Sequence, residues 1–104
     1  MFKISFYVPE THLELVKNAM FDAGAGRIGN YECCSWETSG TGQFKPRAGS
    51  QPFIGELNKL EKVKEFQVEM VCEEGLLSVV VQALRQTHPY EEPAFAAWQL
   101  LALD

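Results

Sequence analysis

Twice along this chain a period-two run of apolar residues gives way at once to an apolar stripe at helical spacing, and that repeated switch limits the folds open to it. Phe2, Ile4, Phe6 and Val8 alternate with Lys3, Ser5 and Tyr7 up to Pro9, the pattern of a strand with one buried face. Thr11 and Glu14 then have the spacing of a capping box, and Leu13, Val16, Met20 and Ala23 recur at helical intervals until Gly24 offers a left-handed stop. The second switch starts in Val63 to Cys72, where Phe66, Val68, Met70 and Cys72 alternate with polar positions. After Glu74-Gly75, the stripe Leu77, Val80, Val81 and Leu84 predicts a second helix that ends before His88-Pro89.

Two further strands complete the set. Tyr31 to Thr38 is rich in aromatic and β-favouring residues, and Ala94, Ala96, Trp98 and Leu100 are expected to point inward along a closing strand. The order βαββαβ predicts an α+β ferredoxin-like sandwich, two helices covering one face of a four-stranded antiparallel sheet. No helix remains for the other face, where Tyr7, Tyr31, Val71 and Phe95 fall. Apolar residues there predict burial against a second copy of the chain. Ser39 to Lys62, holding Gly40, Gly42, Pro46, Gly49, Pro52 and Gly55, is read as one long loop between strands 2 and 3, of the kind that is functional or disordered.

With 104 residues, 46% of them apolar, the chain has material for one core and is expected to form a single domain over 1–104. Nine basic against 14 acidic residues give a net charge of −5, and no basic cluster interleaved with aromatics offsets it, so nucleic acid is not an expected partner. There is no basic segment followed by an apolar run and no apolar stretch of roughly 18 residues. Neither membrane insertion nor secretion is expected. Cys33, Cys34 and Cys72, with no CxxC spacing, read as free thiols in a reducing cytoplasm. Cys33 and Cys34 fall inside a predicted strand, pointing to opposite faces, and Cys72 reads as a small buried hydrophobe.

Three segments carry potential chemistry. His88-Pro89-Tyr90-Glu91-Glu92-Pro93 gathers an imidazole, a phenol and two carboxylates, suited either to holding a divalent cation and moving a proton or to a stiff turn with solvated acids. Gly40-Thr41-Gly42-Gln43-Phe44-Lys45-Pro46-Arg47 places backbone donors beside two cations, either a small anion site or a loop ordered by a neighbouring subunit. Gly24, Gly26 and Gly29 match G-x-G-x-x-G but follow a helix and enter a strand, the reverse of the dinucleotide fingerprint. Those glycines more simply end the helix, with Arg27 and Asn30 free to touch a partner or an anion. Glu65 and Glu69 share a strand face and could pair with cations across the sheet, whereas an acid–base role for them rests on spacing alone.

Gly24 to Tyr31, Gly40 to Phe44 with Pro46, Pro52 to Gly55 and His88 to Pro93, in this order, resemble the inserted domain of the Nif-three-like proteins, the GTP cyclohydrolase type 1-like dinuclear metal group. The resemblance covers nearly the whole chain. It implies a PII/CutA-like fold, typically trimeric, with a long loop between strands 2 and 3. Nothing in the chain corresponds to the flanking domains that build that family's metal site, so the hydrolase chemistry is not carried over. At Asn58 the family often has glycine, and asparagine tolerates the left-handed backbone such a turn needs.

Taken together, these readings predict a cytoplasmic ligand- or metal-binding regulatory module acting as a homo-oligomer, a trimer or else a dimer. His88, Tyr90, Glu91, Glu92, Gly40, Gly42, Lys45 and Arg27 are the candidate ligand contacts, and His88, Glu91 and Glu92 the candidate ligands of a divalent metal ion. Two alternatives compete: an interface-assembled hydrolase using His88 with Glu91 or Glu92, and an assembly element for a separate metal-binding protein.

Overall fold

The computed structural model describes residues 1–103. Its elements are β1 (Phe2–Pro9), a 3-10 turn (Glu10–His12) leading into α1 (Leu13–Asp22), β2 (Trp36–Phe44), β3 (Glu61–Cys72), a second 3-10 turn (Glu74–Leu76) leading into α2 (Leu77–Thr87), and β4 (Phe95–Gln99). The strands form one sheet in the order β2-β3-β1-β4, every neighbour antiparallel. The α+β, ferredoxin-like βαββαβ arrangement predicted from periodicity is therefore the fold.

Register explains the core. Ile4 lies opposite Met70 and Ala97, and Phe6 opposite Val68 and Phe95. These residues share the face on which α1 and α2 pack side by side. Ile4, Phe6, Val8, Val16, Met20, Val68, Val80 and Leu84 are wholly inaccessible there, each contributing about 1.5–3 kcal/mol of apolar burial as a Val/Leu/Phe-sized side chain. The β2–β3 ladder runs on past the helices to Phe44 and Glu61, so the molecule measures 49 × 24 × 24 Å.

Several local expectations are corrected. The capping box does not form: Thr11 Oγ1 bonds His12 Nδ1 at 2.8 Å, the chain winds one 3-10 turn first, and Glu14 pairs with Lys17 at 3.0 Å. The second strand begins at Trp36, not Tyr31, because left-handed residues at Gly24, Gly26, Gly29 and Cys33 curl the preceding segment. Cys33 and Cys34 thus lie in a turn rather than a strand. β2 then extends through Gly40 and Gly42 to Phe44, which shortens the expected loop to residues 45–60. Glycine is tolerated there because β2 is an edge strand.

In β4 the parity is the reverse of the expected one. Tyr7 N–H donates to Ala94 O at 3.1 Å, and the register that follows puts Phe95 against the core and Ala96 and Trp98 on the opposite face. A one-residue shift in phase exchanges every side chain of a strand. Tyr31 lies outside the sheet. The uncovered face carries Tyr7, Trp36 and Trp98, exposed by 42%, 71% and 43%, together with Val71, which is opposite Lys3.

Candidate ligand cleft at the loop end of the sheet

Residues 45–60 fold back over the turn after α2. Asn58 adopts φ +63°, and its N–H donates to Pro46 O at 2.7 Å, so asparagine supplies the left-handed turn. Gln51 N–H donates to Glu91 Oε2 at 3.0 Å, tying loop to turn. Between them lies a cleft of about 370 Å³, within the size range of small-molecule sites. Tyr7, Phe44, Phe53 and Tyr90 line it, with Glu65 at its floor and Lys45, Arg47, Glu91 and Glu92 around it. The Phe44 and Phe53 rings lie 5.9 and 6.5 Å from that of Tyr90.

His88 stands behind this wall rather than in it, 6% exposed. Its Nε2 lies 2.6 Å from Tyr7 O, and Tyr90 N–H donates to Nδ1 at 3.1 Å. A carbonyl can only accept and an amide N–H only donate, so the ring is a neutral imidazole protonated at Nε2. Burial holds its pKa below the ordinary value, against the opposing pull of the Tyr7 carbonyl and Glu65. The unfolded chain therefore takes up a proton more readily than the folded one, and stability falls as pH drops through the unfolded histidine value of about 6.5. We expect the urea midpoint to decline between pH 7.5 and pH 5, and His88→Gln to flatten that part of the profile. An unchanged dependence in the variant would assign the loss to other groups.

Tyr90 O–H donates to Glu65 Oε2 at 2.7 Å. Burial first, and then Glu65, raise the phenol far above its ordinary pKa, so it remains a donor. Glu65 is itself only 9% exposed. Its carboxylate lies across Gly42, where any Cβ would overlap it, and this is the use of a glycine in β2. On the open face a smaller groove of about 200 Å³ is lined by Tyr7, Gly40, Gly42, Glu65 and Gln67.

The cleft thus gathers Tyr90, Glu91, Glu92 and Lys45, with Gly40 and Gly42 in the adjoining groove. Arg27 is not among them. It follows Gly26, which is bonded to Val71 near the far end of β3, six residues and roughly 20 Å of strand from Glu65. His88, Glu91 and Glu92 do not converge either: among the described residues no three His, Cys, Asp or Glu side chains are grouped as a metal ion would require. With both nitrogens of His88 engaged by backbone, the ring presents no free lone pair to a metal. Glu65 and the aromatic wall were not legible as a site, because β3 reads simply as an alternating strand. Among the described residues no helix is long and apolar enough to cross a membrane, and all three cysteines are free.

A β2-β3-β1-β4 sheet with both helices on one face and a long β2–β3 hairpin defines a CutA/PII-like domain of ferredoxin-like fold. CutA1 from Pyrococcus horikoshii superposes with a TM-score of 0.69 at 16% identity, over 100% of this chain and 87% of its own, which concerns fold alone. A Bacillus cereus protein related to NIF3 gives a TM-score of 0.81 at 39% identity, covering 95% of this chain and 25% of that one. No protein-family profile matches the chain.

In sequence, the chain is similar to a segment of the GTP cyclohydrolase 1 type 2 homologs, and the resemblance to the PII/CutA-like domain of the Nif-three-like proteins holds. It is 45% identical to the homolog from Halalkalibacterium halodurans over 100 residues, 96% of this chain and 27% of the relative. With the homolog from Mycobacterium tuberculosis it shares 46% over 95 residues, 91% of this chain and 25% of the relative. The chain therefore spans about a quarter of the length of these relatives.

Proposed function

We propose that the chain is one small binding module of the cytoplasm that self-associates through its open sheet face, as a trimer or else a dimer, and takes a small molecule in the cleft between loop 45–60 and turn 88–94. The observation that carries this is an antiparallel sheet with helices on one face and two tryptophans and a tyrosine uncovered on the other. Exposed aromatic side chains on a sheet face that no helix covers suit burial against another copy of the chain. Three unbridged thiols suit a reducing compartment. The cyclohydrolase name belongs to relatives about four times longer.

Native mass spectrometry of the whole chain tests this. A trimer, or a dimer, carrying a stoichiometric small-molecule adduct is the expected spectrum. A bare monomer at every concentration would overturn self-association, and Trp36→Glu should yield that monomer if the open face is the interface.

A further inference from the structure

Glu65 is a buried carboxylate without a counter-charge. Among the described residues no Lys, Arg or His nitrogen lies within salt-bridge distance of it; the ion pairs present join Lys17 to Glu14 and Glu37, Lys59 to Glu56, and Lys64 to Glu10. Its hydrogen bond comes from a neutral donor, the Tyr90 phenol, and engages Oε2 alone. Among the described residues no buried side-chain oxygen is sealed without a partner, so Oε1 keeps an opening to the cavities that Glu65 lines. A carboxylate taken out of water normally has a cation or a metal beside it, because the charged form is otherwise poorly solvated.

We propose that the cleft floor binds a small organic ammonium group, a primary or methylated amine on an apolar stem, with Glu65 as its counter-charge. The assignment rests on the cleft being a ligand site. Four rings, Tyr7, Phe44, Phe53 and Tyr90, line the same space, and aromatic faces attract cations through their quadrupole. Gly42 keeps the carboxylate's position clear. A calcium-like ion is a poor fit, since it takes six to eight oxygen ligands and the floor offers one carboxylate and one phenol. An anion is a poor fit at the floor, because Lys45 and Arg47 are exposed at the rim, where they are placed to meet an anionic tail.

Amide chemical shifts of the ¹⁵N-labelled chain, titrated separately with n-butylammonium, tetramethylammonium and inorganic phosphate, test the assignment. One of the ammonium probes should shift Gly42, Glu65 and Tyr90 saturably, and Glu65→Gln, close to isosteric, should weaken it at least tenfold while leaving the remaining spectrum in place. Phe44→Leu, which keeps the carboxylate and thins the aromatic wall, should weaken it about threefold or more. Undiminished binding in both variants would overturn the proposal. If phosphate moves Lys45 and Arg47 while both ammonium probes are silent, the ammonium assignment falls and the cleft remains a ligand site. If no probe moves a cleft amide, both fall.

Discussion

Replacing Phe6 with alanine should lower the unfolding free energy by about 3–5 kcal/mol, the range for removing a large buried aromatic. Phe6 is wholly inaccessible and sits on the central strand, opposite Val68 on one side and Phe95 on the other. Strands flank that ring on both sides within the one buried cluster of the molecule, so its removal leaves a cavity in the middle of the core. Against a total stability of about 5–15 kcal/mol, the loss would leave a marginal protein. Urea unfolding measures it as a fall in midpoint at unchanged slope. Leu15→Ala, on the outer side of α1 and 55% exposed, should change stability by roughly 0.5 kcal/mol or less. If the two variants cost the same, the helix-covered face is not the core.

Gly26→Ala should cost about 2–4 kcal/mol, combining a left-handed backbone with overpacking. At φ +79° a new Cβ would lie 2.8 Å from the Phe21 ring and 2.9 Å from the Cys34 carbonyl oxygen. The ring belongs to α1, and that carbonyl follows the Cys34 N–H bonded to Gly26 O, so neither yields cheaply. Gly29→Ala separates the two contributions: its φ of +56° is also left-handed, but nothing lies within 4 Å of the added carbon. It should cost only about 1–2 kcal/mol. Equal losses at the two glycines would mean that the close approach at Gly26 contributes nothing.

The sequence disclosed those elements whose apolar faces are buried by the fold's own helices. β1, β3 and both helices have a core side and a solvent side, so their periods of two and 3.6 survive in the residues. β2 has no such contrast. From Trp36 to Phe44 it is exposed along most of its length, and it is a strand because β3 pairs with it, not because of its own composition. β4 misled for the opposite reason: alanines occupy both faces, and Trp98, the bulkiest residue, lies on the open one while Phe95 meets the core. At the site, the cluster from His88 to Pro93 was visible as a cluster, but its internal roles were not. The imidazole's acceptor is a main-chain carbonyl 81 residues away, and Glu65 gained its burial from Gly42 and Tyr90, contacts that no spacing along one strand announces.

The bond from Leu100 N–H to Met1 O, 2.9 Å long, sets the two extremities of the fold side by side at one margin of the sheet. A unit whose entry and exit points coincide is topologically a loop: spliced into the surface of another chain, it would hold the flanking residues at nearly their original separation. The entropy of closing some hundred residues would then be met by the unit's own folding rather than by its host. Such a unit is transplantable as a whole, since neither partner must open its core to admit the other.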